Sequence, residues 1–547
     1  MKQKIYYLIA LCFAVSTVTY AQNIEPEAIT YLLRNTQEFT VFNRLVEACG
    51  LQRELSKIRD EEYEKAYLTG LIKDLARHPT EEIGTLPEHR YYGYTIFAEP
   101  DAVWEAALGK SAAAITVADV KSYLVSKGLY PQGSQDDNYT DENNIVNLFT
   151  TYHILPERLA PANLVTHYNE LGYDYRYNSG ALSIPVEEFY TTLGQRRLLK
   201  IYESKESYGV YLNRFPVLRN GRGPFMDTSD ASNNDYHESG EFLPTSGNAL
   251  TQDENQGILV YQRDVNPIIL QALNGVIYPI SQLLAYTENV RTQFSLQRLR
   301  FDAASLLPEM MNNDLRRPMG NYSSGSSTTR GFPASQEFQY FENLDIAVGT
   351  RFYYLSGYSR GWHNYQGDEF NVVGDYEFTL KLPPVPADGT YELRLGVSAN
   401  STSRSIAQFS LGTDKEHLVA TELPIDLRVG GLKKRIKTGD VKSNIGWEKD
   451  TDDEVHNRFV DLYLHEQGYM KGPNSQAAGM GSSAPSLRTD DYNLRRVVWR
   501  GTVEAGKTYY LHVKNCMSRE DLQFYMDYIE WCPKNVYANP TTPEDIW

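Results

Sequence analysis

Two residues whose side chains do chemistry, Tyr152 and His153, lie side by side in the apolar stretch NLFTTYHILPERL, residues 147–159. A histidine base needs a Ser, Cys or Asp partner within hydrogen-bond reach, and no elbow or triad motif accompanies this pair. A zinc site needs further ligands at suitable spacing, and the 10 histidines are scattered along the chain. We interpret His153 as a structural hydrogen-bonding residue in an apolar strand, with partner recognition by Tyr152 and His153 as the alternative.

A second set of candidate residues lies in FYYLSGYSRGWHNYQGDEF, residues 352–370, where aromatic side chains surround glycine turns. A sugar site needs apolar ring faces beside planar hydrogen-bonding groups. Tyr358, Trp362, His363 and Tyr365 are therefore candidate glycan-binding residues. The alternative is that these rings pack inside a β-sheet core, because tyrosine is abundant throughout the chain.

Carboxylates are concentrated in EKDTDDEVHN, residues 448–457. Such oxygen ligands bind calcium in some loops, but the glycine and closing glutamate of an EF-hand are missing, so a solvated acidic loop is predicted. A glycosidase needs two carboxylates that face each other across a cleft, and no local motif pairs such residues. We assign no catalytic residue, and we expect no metal ion and no cofactor.

The elements around Tyr152 and His153 predict a unit of helices followed by strands. Helical spacing, cap residues and β-rich runs define five segments in order. They are the helix FTVFNRLVEACGL (39–51), the strand-to-helix segment YTIFAEPDAVWEAALG (94–109), the helix ITVADVKSYLVSKG (115–128), and the strands VNLFTTYHIL (146–155) and NGVIYPISQLLAY (274–286).

Four of these motifs, FTVFNRLVEACGL, YTIFAEPDAVW, YHILPERL and NGVIYPISQLL, resemble in the same order those of the fasciclin domain, an extracellular adhesion module. The resemblance implies an α+β fasciclin-like domain over residues 22–290 in which the Tyr-His pair takes part in partner recognition. Residues from about 219 to 256 are rich in Gly, Asn, Asp and Ser, and we predict that they form an inserted mobile loop.

The second half of the chain has period-two patterns such as TYELRLGVSA, RRVVWRGTV and TYYLHVKN, separated by Gly/Pro/Asp turns. This pattern predicts an antiparallel β-sandwich or jelly roll over residues 336–547, after a helical and Gly/Ser-rich linker at 291–335. The domain resembles the galactose-binding-like sandwich that follows fasciclin domains in secreted or surface proteins of Bacteroidota. The fold class expected for the whole chain is therefore multidomain.

The first residues predict export. Lys2 and Lys4 precede an apolar run and small residues that end at Ala21, which is typical of a signal peptide over residues 1–21, and Leu11 before Cys12 argues against a lipid anchor. No later window is apolar over roughly 18 residues, so no transmembrane helix is expected. The net charge of −17 opposes binding to nucleic acid or an anionic bilayer. We expect the protein in the periplasm or at the cell surface.

Three cysteines remain after the leader, Cys49, Cys516 and Cys532, an odd number for an oxidising compartment. Cys49 lies in a helical apolar pattern and is predicted to be a buried hydrophobe. Cys516 and Cys532 lie in neighbouring strand-like segments, so a disulfide between them and three free thiols both remain open.

Together these features predict an exported, non-enzymatic adhesion or scaffold protein of the bacterial cell envelope. Its partner is expected to be an envelope protein or a glycan, and the resemblance places it beside outer-membrane glycan-uptake systems. The alternative function is a carbohydrate-binding protein or an accessory module of a glycan-degrading enzyme. The oligomeric state does not follow from the sequence.

Overall fold

The structure is a computed structural model in full atomic detail. It describes residues 27–70, 88–161, 163–164, 186–194, 197–204, 206–207, 209–220, 236–262, 269–316, 327–332, 334, 338–357, 365, 368–398, 403–434, 441–443, 445–473, 488 and 491–546. The predicted signal peptide lies outside these residues, as do Tyr358, Trp362 and His363. Among the described residues, no helix is long and apolar enough to cross a membrane.

The first half contains short helices around a small mixed sheet. The helices are α1 Ile29–Asn35, α2 Thr40–Ala48, α3 Gln52–Leu55, α4 Glu61–Leu68, α5 Asp101–Leu108, α6 Val117–Ser126 and α7 Ile145–Tyr152. The sheet has the order β2-β1-β10-β9, with β1 Tyr94–Ala98, β2 Ile154–Leu155, β9 Leu270–Ala272 and β10 Gly275–Pro279. Strands β1 and β10 are parallel neighbours, and Ile96 pairs with Ile277, which lies 181 positions later in the chain.

Several predicted elements are confirmed at their ends. Helix α2 is followed by Gly50 with a positive φ of 69°, and α5 ends at Gly109 with φ 66°. Thr116 and Asp119 form a complete capping box at the start of α6, with each side chain bonded to the other's backbone N–H. Local residue chemistry was sufficient to place these helices.

The prediction of a strand over residues 146–155 was wrong for most of its length. Ile145–Tyr152 is helix α7, and only Ile154–Leu155 is a strand. The side chain of Asn144 caps the helix by accepting a hydrogen bond from the Val146 N–H at 2.9 Å. A short apolar run fits a buried helix and a buried strand equally well, so periodicity alone does not distinguish them.

A second sheet in the first half is antiparallel, with the order β3-β4-β5-β8. Its strands are β3 Val186–Thr191, β4 Leu198–Glu203, β5 Gly209–Leu212 and β8 Ile258–Gln262. The described residues of the predicted inserted loop have regular structure: β7 Tyr236–Phe242 pairs with β6 Pro216–Asn220, and a 3-10 turn spans Glu254–Gln256. Residues 221–235 lie outside the described residues.

The second half consists mainly of antiparallel strands, as the period-two pattern predicts. One sheet has the order β11-β27-β17-β24-β23, a second β13-β16-β25-β18-β19 with β20 on β18, and a third β12-β14-β15-β26. The strands of the first sheet are β11 Leu299–Asp302, β17 Gly389–Ser398, β23 Tyr469–Lys471, β24 Asn493–Val503 and β27 Tyr528–Pro533. The other strands are β12 Ser327–Phe332, β13 Leu344–Ile346, β14 Thr350–Gly357, β15 Asp368–Gly374, β16 Glu377–Lys381, β18 Ile406–Gly412, β19 Val419–Ala420, β20 Ile425–Asp426, β25 Tyr510–Asn515 and β26 Gln523–Met526.

The segment predicted as a linker, residues 291–335, takes part in the packed structure. It follows the start of α8 Glu288–Ser295, contains α9 Pro308–Asn312, and supplies β11, which pairs with β27 of the sandwich. A ribbon of β21 Leu432–Lys434 and β22 Val441–Ser443 and the helices α10 Glu454–Glu466 and α11 Lys534–Tyr537 complete the second half.

The acidic stretch at 448–457 has a structural role. The side chain of Asp453 caps α10 by accepting from the His456 N–H at 3.0 Å, and Asp450 accepts from Lys471 Nζ at 2.7 Å. Within the described part of the chain, no group of three or more His, Cys, Asp or Glu side chains is arranged to hold a metal ion. The thiols of Cys49, Cys516 and Cys532 are free, with Cys516 exposed and the other two buried.

Candidate functional site

A cleft of about 980 Å³ lies where the helical first half meets the sandwich. Its walls combine ionised side chains with aromatic rings, and both halves of the chain contribute. The lining residues fall in the stretches 54–62, 90–94, 156–157, 189–193, 301–312, 339–345, 381–384 and 507–508. Binding sites for small ligands are commonly found at such junctions between domains.

Helix α9 forms one wall of the cleft and is tied to the first half by two asparagines. Asn313 Oδ1 accepts a hydrogen bond from the Tyr91 N–H at 2.7 Å, and Asn312 Oδ1 accepts from the Arg158 N–H at 2.8 Å. Gly93 allows this close approach, because a Cβ atom there would lie far inside van der Waals contact of Asn312. The position of α9 is therefore set by backbone groups of the first half.

Arg90 joins the two halves at the edge of the cleft. Its Nε donates to Asp60 Oδ2 at 3.0 Å, and its Nη1 donates to the Tyr340 carbonyl. The guanidinium also lies over the rings of Tyr63, Phe338 and Tyr340, 5.3, 5.4 and 5.7 Å from their centroids. Burial acts to raise the pKa of Asp60, but the Tyr63 N–H and Arg90 outweigh it and hold that pKa below its usual range.

Glu309, in the first turn of α9, is a carboxyl group of the cleft whose pKa is raised by burial. It is buried, and its Oε1 accepts a hydrogen bond from the Glu342 N–H at 2.8 Å. Burial raises the pKa of Glu309 to about 7, against the opposing effects of that N–H and of Arg90. A carboxyl group that exchanges its proton near neutral pH can donate a hydrogen bond or act as an acid.

The rim of the cleft carries half-buried tyrosines and charged side chains. Lys57 Nζ lies 5.3 Å from the centroid of the Tyr92 ring and 2.5 Å from Glu54 Oε2, and Arg59 lies 5.9 Å from the Tyr91 centroid. The ring of Tyr92 thus lies beside the Lys57 cation, and the ring of Tyr91 lies beside the Arg59 cation. This mixture of aromatic faces, hydrogen-bond donors and carboxylates suits a polar ligand with apolar faces better than a purely apolar one.

The structure places Tyr152 and His153 away from the protein surface. His153 Nδ1 lies 2.8 Å from the Phe149 carbonyl oxygen and Nε2 lies 2.8 Å from Glu99 Oε1, which also accepts from the Leu284 N–H at 2.9 Å. The Tyr152 hydroxyl donates to the Leu198 carbonyl at 3.0 Å. Both side chains are fully buried, so any effect of the pair on a partner passes through the fold.

Of the four candidate glycan-binding residues, Tyr365 is the one that the structure describes, and it is buried in the sandwich. Its N–H donates to both carboxylate oxygens of Asp527, at 3.0 and 2.9 Å, and its ring packs against Tyr528 at 5.6 Å. The other three, Tyr358, Trp362 and His363, lie outside the described residues. The cleft does not include Tyr365.

Sequence reasoning missed the residues of the cleft. HRYYGY, residues 89–94, brings an arginine and three tyrosines together just before β1, and Pro308 followed by Glu309 is typical of a helix start. These signals are local and common. The raised pKa of Glu309 and the cage around Arg90 depend on contacts with residues more than 30 positions away, which no local motif records.

Comparisons with known proteins identify no relative of this chain. No protein-family model and no curated protein matches it. Among solved structures, the chain was matched to exo-β-1,3-galactanase from Phanerochaete chrysosporium with β-1,3-galactotriose, at 9% identity and a TM-score of 0.17, covering 63% of this chain and 68% of the other. The same enzyme with galactose matches at 10% identity and a TM-score of 0.14, with the same coverage. Matches at this level carry no argument about function.

Proposed function

We propose that this protein is an exported adhesion or scaffold protein of the bacterial cell envelope that holds a glycan in the cleft between its two halves, without enzymatic activity. The observation that carries the proposal is the cleft itself, with aromatic rings and charged groups on walls from both halves. Sugars present apolar C–H faces and many hydroxyl groups, and this lining offers a counterpart to both.

Two features of the sequence support the proposed cellular location and the proposed adhesion role. The first residues have the pattern of a signal peptide cleaved after Ala21, and the ordered motifs of the first half resemble a fasciclin domain. Adhesion modules act by binding, which agrees with a chain whose sequence contains no motif for a nucleophile or a metal. A glycan held between two units also suits a scaffold, because the ligand then stabilises their relative position.

Glycan-array binding followed by calorimetric titration with the best ligand tests the proposal. Replacing both Tyr91 and Tyr92 with Ala should weaken binding at least about tenfold, because stacking of sugar on two rings is lost. The control is Tyr492→Ala, an exposed tyrosine outside the cleft, which should leave the affinity unchanged. Absence of binding to any glycan, or equal affinity in the double variant, would overturn the proposal.

One observation favours a second candidate, a glycan-degrading enzyme. Glu309 lines the cleft with a pKa raised to about 7 by burial, which suits a general acid. The Glu309→Gln variant distinguishes the two candidate functions. If release of reducing ends from a bound glycan is abolished in this variant while binding persists, the enzyme is the correct function; if the wild-type protein releases none, the binding protein is.

A further inference from the structure

The segment after α11, residues 538–546, runs over the sandwich and places one carboxylate among arginines. Glu544 Oε1 accepts from Arg298 Nη1 at 2.6 Å and from Arg394 Nη1 at 2.7 Å, and its Oε2 accepts from Arg394 Nη2 at 3.0 Å. Arg495 Nη1 lies 3.3 Å from Oε1. Charge-assisted contacts of this kind, with one arginine binding both carboxylate oxygens, are strong and geometrically selective.

The three arginines come from one sheet of the sandwich and are buried. Arg394 on β17 is 0% exposed, Arg495 on β24 is 3% exposed, and Arg298, just before β11, is 7% exposed. Neighbouring strands of one sheet therefore hold these groups in place. They are part of the interior of the sandwich, and Glu544 reaches them from outside.

Two buried carboxylates of the sheet lie among the same groups. Glu530 on β27 is 2.7 Å from Arg300 Nη2 and 3.4 Å from both Arg298 Nε and Arg495 Nη1. Glu392 Oε2 on β17 accepts from Arg394 Nε at 2.9 Å and from Arg394 Nη2 at 2.7 Å. The mutual repulsion of neighbouring guanidinium groups in a low-dielectric interior is large, and Glu544 supplies a third carboxylate that lowers it.

The segment that carries Glu544 is otherwise mostly exposed. Thr541, Thr542, Pro543 and Asp545 are all exposed, while Glu544 is 14% exposed. The neighbouring Asp545 contacts Arg298 Nη2 at 3.0 Å but remains 50% exposed. The interaction between the segment and the three arginines is therefore concentrated in one carboxylate.

The pKa of Glu544 agrees with this geometry. Burial acts to raise the pKa of Glu544, but Arg394, Arg298 and Arg495 outweigh it and hold the pKa well below its usual range. Glu544 is therefore ionised in the folded protein at neutral pH.

We propose that Arg298, Arg394 and Arg495 form a carboxylate-binding site that Glu544 fills from within the chain, and that a carboxylate ligand takes the site when Glu544 is displaced. The ligand class is defined by the bidentate arginine geometry and includes acidic sugars and acidic peptides. The site is separate from the cleft of the proposed function, which these arginines do not line.

Cys532 provides a reporter for the displacement. It lies on β27, is buried, and has a thiol pKa raised by burial, with the charges of Arg394, Glu544 and Arg298 acting on it. Removal of the Glu544 charge leaves Arg394 and Arg298 acting on this thiol, and both favour the reactive thiolate. A carboxylate ligand in the site restores the opposing charge.

The first experiment is calorimetric titration of full-length protein with galacturonate and, in a separate arm, with N-acetylglutamate amide. Glu544→Ala should bind at least one probe with a millimolar Kd, and wild-type protein should bind it at least about tenfold more weakly because the tethered Glu544 competes. Asp521→Ala removes an exposed carboxylate that pairs with Arg519; it is the control and should behave like wild type. Binding of galacturonate identifies an acidic sugar as the ligand, and binding of N-acetylglutamate amide identifies an acidic peptide. No binding of either to Glu544→Ala, or equal binding to both proteins, would overturn the proposal.

The second experiment measures alkylation of Cys532 by peptide mass spectrometry in a Cys516→Ser background, with buried Cys49 as the internal standard for global unfolding. Glu544→Gln, which keeps the side-chain shape without the charge, should react at least about fivefold faster at Cys532, and the binding probe should slow it again. An alkylation rate that neither the variant nor the probe changes relative to Cys49 would contradict the proposal.

Discussion

At the scale of single residues, burial gives ordinary side chains unusual properties. His153 is a hydrogen-bonded part of the interior, between the Phe149 carbonyl and Glu99. Glu309 is an acid with a pKa of about 7 because its carboxyl is removed from water. Neither property follows from the residue type. Each is a consequence of the elements packed around the side chain.

His153→Ala should destabilise the fold. The substitution removes a buried ring and the hydrogen bond to Glu99, and each loss lowers the free energy of unfolding, by about 2–4 kcal/mol together. Chemical denaturation measures this change. His417→Ala, an exposed histidine paired with Asp414, should change the free energy by less than about 0.5 kcal/mol. Unchanged stability with loss of partner binding would favour the recognition role.

Glu309→Gln should change how stability depends on pH. The folded-state pKa of about 7 lies above the ordinary 4.5, so the protonated carboxyl stabilises the fold below pH 4.5, and this stability is lost as pH rises toward 7. The free energy of unfolding of the wild type should fall by about 2–3 kcal/mol more than that of the variant over this range. Urea titrations at several pH values measure the difference, and parallel curves would contradict it. Glu504→Gln, an exposed substitution, is the control.

At the scale of elements, close backbone contacts position the cleft. Helix α9 has only five residues, Pro308–Asn312, too few to be stable alone. Asn313 holds it against the stretch before β1, and Asn312 holds it against Arg158, which follows β2. Gly93 stands at the point of closest approach. The geometry of the cleft therefore depends on one small residue opposite one short helix.

Gly93→Ala should loosen this contact. Its Cβ would overlap Asn312 and the Arg158 side chain, so α9 or the stretch before β1 must move, at a cost of about 1–3 kcal/mol in the free energy of unfolding. Thermal denaturation measures the cost, and binding of the cleft ligand should weaken in parallel. Gly506→Ala is the matched control, because no atom lies within 4 Å of its Cβ position. Equal effects of the two substitutions would show that the close approach is unimportant.

At the scale of the whole molecule, the two halves share one hydrophobic core. Tyr63, Phe189 and Phe294 from the first half belong to the same buried cluster as the sandwich residues Phe341 and Trp531. Strand β11, from the segment predicted as a linker, is hydrogen-bonded to β27 of the sandwich. Independent domains joined by a flexible tether would not share a core in this way.

Scanning calorimetry should therefore show the two halves unfolding together. A shared core couples them, since exposing it in one half removes contacts of the other, and a single transition is expected. Arg90→Met should move the whole transition to lower temperature, because Arg90 links Asp60 to the Tyr340 carbonyl across the junction. Lys65→Met, an exposed substitution on the same half, should not. Two well-separated transitions in the wild type would contradict the coupling.

The sequence alone determined the elements whose signals are local. Helix α6 follows from the Thr116 and Asp119 capping box, the end of α5 follows from Gly109, and the antiparallel strands of the second half follow from their period-two pattern. Backbone geometry and side-chain alternation act over a few residues, so a few residues suffice to reveal them.

Only the tertiary structure decided what those elements do. The run around Tyr152 became a helix because its apolar positions pack on two sides. Burial raised the pKa values of Glu309 and Cys532, whereas neighbouring arginines lowered that of Glu544. The cleft and the arginine pocket each bring together residues from distant parts of the chain. Desolvation and the field of neighbouring charges act through space, and a linear pattern contains neither the distances nor the dielectric that determine them.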